Sequence, residues 1–391
     1  MEPNALLPQL KPTSPLYGTA QLIQIEDHGQ VVEIEDESGQ IRRLLELLTG
    51  TRTVTEIWQE LRHQYPDTTL EDVEAAIHQF DEAGVLLNGA HGPDGILDEY
   101  EVARWQRNIN FFGAYSSLSQ NKYELQARLR DCRITLLGVG GLGCHLLLDM
   151  AAMGFGHVRA VEFDRVELSN LNRQILFRDA DLGKEKLELA VSRVREFNPR
   201  IEIEPIQLRI SSADDVRQVA AGADLLISVA DQPKMEILHW VNEGCAHLGV
   251  PWVSGGLDTL YSHHFTVIPG RSGCIECWRR QVAATDSASA RLLQQKRDLR
   301  ITGERSASTA LVTITTGFML AEVTRIITGI APPVAEGRLM RLRFHDNEMT
   351  EYERWSRLPD CPVCGSATAG SATAGSATAA AEPELAVSGT V

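Results

Sequence analysis

The stretch from Ile134 to Ala152 constrains this chain more than any other. A β-branched and leucine run leads into Gly138, Gly140, Gly141 and Gly143, and the apolar segment behind them has helical spacing. That pattern predicts strand, tight turn and helix. The glycines let the backbone approach a nucleotide, and the helix N-terminus offers unpaired N–H groups and a partial positive charge to its phosphates. Such a turn serves many nucleotide sites, so the residues after it decide the chemistry.

About twenty residues further on, a second apolar strand ends in Glu162 and Asp164, where a doubly wound fold places the carboxylate that grips a ribose hydroxyl. Ser169, Asn170, Asn172, Arg173 and Gln174 follow, then Lys184 and Lys186. A dehydrogenase needs no Asn, Arg and Lys set here. An enzyme that splits a triphosphate needs exposed cations to hold the leaving pyrophosphate. The set points to ATP.

The GlyxGlyGlyxGly turn, the SerAsnLeuxArgGln block, the lysine, and Asp231 after the apolar run Leu225 to Ala230 resemble the adenylating enzymes ThiF and MoeB and the ubiquitin-activating superfamily. The resemblance runs over 104–364 and implies an α/β fold with a Rossmann-like, mainly parallel sheet. It further implies that Asn170, Arg173 and Lys186 contact the phosphates of ATP and that Asp231 holds Mg2+. Glu162 or Asp164 would take the ribose, the family commonly having Asp at the position of Glu162. Arg104-Trp-Gln-Arg107 resembles a family segment whose second arginine reaches into the partner subunit's site, so Arg107 implies a homodimer. Relatives that form a thioester carry a cysteine after the first of two CxxC knuckles. This chain has none between Gln281 and Thr309, where Ser306 and Ser308 stand instead, so no thioester step is expected and a lid is the expected role.

Those knuckles are Cys274-x-x-Cys277 and Cys361-x-x-Cys364. Each puts two thiolates on one tight turn, and four sulfurs suit a closed tetrahedral Zn2+ that staples the fold. Cys132, Cys144 and Cys245 read as small buried apolar residues. His263 and His264 have no third ligand at metal spacing and read as a strand-edge feature.

Ahead of this module, 17–89 reads as a smaller α+β unit of winged-helix-like size. Gln21 to Ile25 and Val31 to Glu35 alternate around a hairpin turn, and helices are expected near Leu44, from Thr53-x-x-Glu56 and from Thr68-x-x-Glu71. Val85 to Leu87 adds a short strand. A hairpin followed by three helices resembles the PqqD-like elements that recognise leader peptides for enzymes modifying ribosomally made peptides. The physical basis is an edge strand to which an extended peptide can add. A domain used only for dimer contacts or rigidity has the same pattern. A Gly- and Pro-dense linker is expected over 90–103.

Behind Cys364, Gly-Ser-Ala-Thr-Ala occurs three times in a flexible tether over 365–381. The final 382–391, with Leu385 and Val387 alternating, reads as a fused leader segment expected to lie as a strand on the 17–89 unit. A formal charge of −16 disfavours a nucleic-acid partner. No signal segment or apolar run of ~18 residues is visible, so no membrane is expected and the cytoplasm is the default.

The reading is ATP-dependent adenylation of a carboxylate of a precursor peptide. Two alternatives stay open: leader delivery to a separate YcaO-type cyclodehydratase without catalysis, and activation of a sulfur carrier protein.

Overall fold

The computed structural model describes residues 6–19, 21–27, 30–233, 236–285 and 306–365, with Arg291 and Gln295. The tail from 366 to 391, and with it the leader-like strand, lies outside the described residues.

The first unit contains β1 (Pro8–Leu10), β2 (Leu16–Gly18), β3 (Leu22–Asp27), β4 (Gln30–Glu35), α1 (Gln40–Leu47), α2 (Val54–Arg62), α3 (Leu70–Glu82) and β5 (Leu86–Asn88). β2, β3 and β4 form an antiparallel sheet in that order, so among the described residues β4 has a neighbour on one side only. β1 pairs separately with β5, which carries the unit back beyond the expected start at 17. Three residues are too few to show an alternation, so only the pairing makes β1 a strand. α2 starts at a capping box in which the Thr53 hydroxyl accepts from the Glu56 N–H and the Glu56 carboxylate accepts from the Thr53 N–H at 2.7 Å. α3 uses Thr69 with Asp72, one residue beyond the expected pair, because Asp72 reaches the Thr69 N–H at 2.9 Å. Ile23, Ile25, Leu44, Leu61, Val73 and Ile77 form this unit's own core.

α4 (Glu99–Arg104) starts at another capping box, Asp98 with Glu101, inside the stretch that reads as linker. α5 (Gln106–Ala114) and α6 (Lys122–Asp131) lead to β6 (Arg133–Leu137). Then come α7 (Gly141–Met153), β7 (His157–Val161), α8 (Lys186–Phe197), β8 (Glu202–Ile206), α9 (Ala213–Ala220), β9 (Leu225–Ser228), α10 (Glu236–Leu248) and β10 (Trp252–Leu257). β11 (Tyr261–Val267), α11 (Ile275–Thr285), α12 (Thr309–Thr328), β12 (Arg338–Arg343) and β13 (Glu348–Arg354) complete the described chain.

The eight-stranded sheet has the order β13-β12-β11-β10-β9-β6-β7-β8, parallel from β8 to β10 and antiparallel beyond. The chain runs outward from β6 to β8, then returns to set β9 on the other side of β6. That reversal is the switch point, beyond whose strand C-termini doubly wound sheets bind ligands. Leu136, Leu147 and Met150 pack with Met319 and Val323 on one face. Leu226, Val241 and Trp252 pack with the four knuckle cysteines on the other.

α12 is long and apolar enough to cross a membrane, contrary to the expectation that no segment is. Half of it is buried inside the protein, where it packs on α7, β10 and β11. Its buried Glu322 accepts from the Val334 N–H at 2.9 Å, the Ala335 N–H at 3.0 Å and the Thr266 hydroxyl at 3.2 Å. A carboxylate so bonded to a loop of its own chain marks a core helix. β11 lies between two partners, so His263 and His264 are in the sheet interior rather than at its edge. His264 stacks on Phe318 at 5.5 Å, and burial pushes its imidazole pKa down to about 4.

Candidate active site

The turn between β6 and α7 is built to be glycine. Gly138 has φ 96°, in the left-handed region, and a Cβ there would press on the backbone of Ala230 at 3.1 Å. A Cβ at Gly143 would lie 2.0 Å from the Gly138 carbonyl oxygen, so α7 can seat on its strand only without a side chain. Gly141 faces Arg173, whose Cγ and Cδ lie 3.2 Å from where a Cβ would be. Arg173 therefore lies across the turn. Gly140 faces the Gln174 amide nitrogen at 3.8 Å from the same construction.

A 3-10 turn at Leu168–Asn170 presents these side chains. Asn170 is buried; its Oδ1 accepts from the Glu167 N–H at 3.1 Å, and its carbonyl accepts from the Arg173 and Gln174 N–H groups at 3.1 and 2.9 Å. The Arg173 guanidinium donates to the Ser169 carbonyl and the Asn172 side-chain oxygen, both at 2.9 Å.

The two acids separate by their partners. Glu162 is buried: Oε2 accepts from the Val139 N–H at 2.8 Å, and Oε1 accepts from the Phe163 and Asp164 N–H groups at 2.8 and 3.0 Å. It ties the end of β7 to the middle of the glycine turn. Asp164 leaves 52% of its side chain exposed and pairs with the buried Lys186 ammonium at 3.3 Å. Asp164 is thus the acid that faces solvent. Asp231 is exposed beyond β9, next to Ala230 and hence beside Gly138.

Gly138, Gly140, Gly141, Gly143, Glu162, Asp164, Asn170, Arg173, Lys186 and Asp231 therefore gather at the switch point. Arg107 does not join them: it is exposed on α5, and its guanidinium has no hydrogen bond or ion pair among the described residues. Sequence reasoning gave no role to Gln174, which is buried beside Gly140 with an unpaired Oε1. Its place next to Arg173 was the available signal. A glycine cradle and two cations suit the phosphates of a nucleoside triphosphate, and the orphaned Gln174 acceptor suits one of its donors, a hydroxyl or amino group, since phosphate oxygens only accept.

On the other face of the sheet, the four knuckle thiols converge. Cys274 and Cys277 Sγ are 3.9 Å apart, Cys274 and Cys361 3.6 Å, Cys277 and Cys364 3.4 Å, and all four lie within 4.8 Å. A disulfide needs about 2.05 Å. Four sulfurs bonded at about 2.3 Å to one tetrahedral ion would sit roughly 3.8 Å apart, so the buried cluster can hold zinc. Burial pushes the Cys132 and Cys144 thiols up to about 12 and Cys245 higher still, which leaves none of them a nucleophile. Among the described residues the Ser306 hydroxyl meets the Thr259 hydroxyl, at 2.7 Å, and Ser308 precedes α12 as its N-cap. The segment 301–305, part of the expected lid, lies outside the described residues.

The ThiF family profile matches residues 106–363. The chain is 28% identical over 270 residues to a sulfur carrier protein adenylyltransferase of Thermus thermophilus, a match covering 67% of this chain and 93% of that one. It is 27% identical over 271 residues to the molybdopterin-synthase adenylyltransferase of Escherichia coli, covering 69% and 98%. Its fold is similar to that of E. coli MccB solved with AMPCPP and MccA, with TM-score 0.71 and 20% identity over 92% of this chain and 99% of that one.

Proposed function

The chain belongs to the ThiF family and is an ATP-dependent adenylyltransferase, and from that premise we propose that it activates a carboxylate of a ribosomally made precursor peptide. The leader of that peptide docks on the N-terminal unit. One observation carries this reading: the separate sheet β2-β3-β4, with its own core and an edge at β4 that is unpaired among the described residues. A peptide adds to such an edge through backbone hydrogen bonds, as in other PqqD-like elements. The two bacterial relatives are spanned almost whole by about two thirds of this chain, so adenylation of a carrier protein leaves this unit without a purpose. MccB, a microcin C7 biosynthetic enzyme solved in complex with N-formylated MccA, shares the fold over a longer stretch than the family match.

In the reaction, a carboxylate oxygen of the peptide bonds to the α-phosphorus of ATP as the bond to the departing pyrophosphate breaks. A carboxylate is already ionised at neutral pH, so no protein base is required. The turn's N–H groups and Asn170 orient the phosphates, and Arg173 and Lys186 offset the charge that builds on the leaving group. Asp164 takes the ribose, while Glu162 holds the turn in shape. Asp231 would hold Mg2+, which supplies further positive charge to the phosphates. Arg107, remote from its own turn, serves the site of a second copy in a homodimer. The cysteine cluster holds Zn2+ as a staple between its two knuckles.

The names of the bacterial relatives favour a second reading, sulfur-carrier activation. ATP–pyrophosphate exchange separates the two when run with a leader-bearing peptide and with a GlyGly-ended carrier protein. Exchange with the peptide alone is expected. Exchange with the carrier alone would establish sulfur chemistry, and none with either would favour leader delivery to a YcaO-type enzyme.

A further inference from the structure

The two units meet along a defined seam. The Lys11 ammonium donates to the Ala114 carbonyl at 2.8 Å, and the Leu118 N–H donates to Asp81 at 2.9 Å. Beside these contacts lies a cavity of about 190 Å3, lined from the first unit by Gln9, Asn88 and His91 and from the second by Gln120, Lys122 and Tyr123. Nucleotide-sized ligands occupy about 300–1,000 Å3, so this space suits a single side chain. Its chemistry is one-sided: no carboxylate lines it, in a chain whose net charge is −16.

The donors can be assigned. Asn88 Oδ1 accepts from the Leu7 and Ala90 N–H groups at 3.1 and 3.0 Å, which leaves Nδ2 as the outward donor. Nδ2 faces His91 Nε2 at 3.4 Å, so that nitrogen is the acceptor and the ring proton sits on Nδ1. Lys122 makes no hydrogen bond or ion pair among the described residues; its ammonium stands 5.2 Å from the Tyr123 ring. Burial holds the pKa values of both Lys122 and His91 below their ordinary values, and for His91 it outweighs the opposing pull of the Glu124 carboxylate, which is not part of the cavity lining.

We propose that this cavity is a carboxylate site, filled by an aspartate or glutamate side chain of the precursor peptide on its way from the N-terminal unit to the glycine turn. The proposal rests on the peptide-substrate reading, because the side-chain anions of an unmodified ribosomal peptide are carboxylates. Occupancy bridges β5 and α6, so a correctly docked peptide also fixes one unit against the other.

The test uses the full chain without nucleotide and labelled pentapeptides, acetyl-Ala-Ala-Glu-Ala-Ala-amide and its Gln twin, followed by fluorescence anisotropy. The Glu peptide should bind about tenfold or more tightly than its twin. That preference should vanish in Lys122→Gln and return in Lys122→Arg. Sodium acetate is the second probe. Displacement of the Glu peptide by acetate would show that a free carboxylate also enters the site, and its failure to displace would show that the peptide backbone is needed. Equal binding of the twins, or a preference that survives Lys122→Gln, overturns the proposal. Pyrophosphate exchange judges the adenylation reading separately, since Lys122 lines the seam cavity and is not one of the residues assigned to the glycine turn.

Discussion

The adenylating unit and the N-terminal unit are built on opposite principles. In the first, side chains do the chemistry: Gly143 admits no Cβ, Glu162 is held by three backbone N–H groups, and four thiols converge on one point. In the second, the recognition proposed above would fall to the backbone. β4 offers hydrogen-bonding groups that any sequence of strand-forming residues would offer, above a core of ordinary aliphatics. Chemistry that depends on residue type leaves motifs, and recognition through main-chain groups does not.

The sharpest way to break this contrast is to remove the side chain at the catalytic rim. Asp231→Ala should lower pyrophosphate exchange by about a hundred- to thousandfold while leaving leader affinity unchanged by calorimetry. Retained exchange would refute Asp231 as the magnesium residue. The next largest effect belongs to the cysteine cluster. Cys361→Ser should release one zinc per chain, measured by elemental analysis, and lower the melting temperature by roughly 10 °C. Hydrogen exchange in α2 and α3 should stay as it was, because their core is separate. Faster exchange there would mean that the two units are one cooperative body.

Legibility follows the same division. The glycine turn, the Asn170 to Lys186 block and the cysteine knuckles stand out in sequence because what they do depends on residue type: a missing Cβ, an exposed charge or a thiol. The choice between Glu162 and Asp164 does not, since it depends on which carboxylate the backbone of Val139, Phe163 and Asp164 captures. Gln174 was visible only as a neighbour of Arg173. α12 escaped because its threonines, glycine and Glu322 interrupt the apolar run, although Thr315, Thr324 and Thr328 satisfy their hydroxyls on carbonyls four residues back. β1 escaped because its partner lies at the far end of the unit. The role proposed for Arg107 requires a second copy of the chain.

Acid should separate the units. His264 is held down to about 4 by burial, with Glu322 acting to raise it and His263 and Arg325 to lower it. The unfolded chain takes up that proton below about 6.5, so between about 6.5 and 4 the unfolded state binds more protons. Stability of the adenylating unit is thus full above this window and falls as the pH drops through it. The caps of the N-terminal unit behave differently: hydrogen bonds from Thr53 and Thr69 hold the Glu56 and Asp72 carboxyls below their ordinary values. Their contribution persists above the usual carboxylate range and is lost only as the pH falls below it. Urea midpoints at pH 7 and pH 5, read by tryptophan fluorescence, should fall for the wild type and fall less for His264→Phe. Equal declines would remove His264 as the cause.

The smallest effect tests the edge itself. Val31 on β4 is 59% exposed, an apolar residue on a strand with no second neighbour among the described residues. A docked leader strand would pair side chains with it across the new ladder, a contact of up to about 1 kcal/mol. Val31→Lys should therefore weaken leader binding about fivefold. The loss is small because main-chain hydrogen bonds, which the substitution leaves in place, hold the peptide. Exchange at saturating peptide should not change, since Val31 belongs to the N-terminal unit and the reacting groups to the other. A loss of a hundredfold would mean that the leader is read by side-chain pockets, and the contrast between the units would fail. No loss at all would move the docking site off β4.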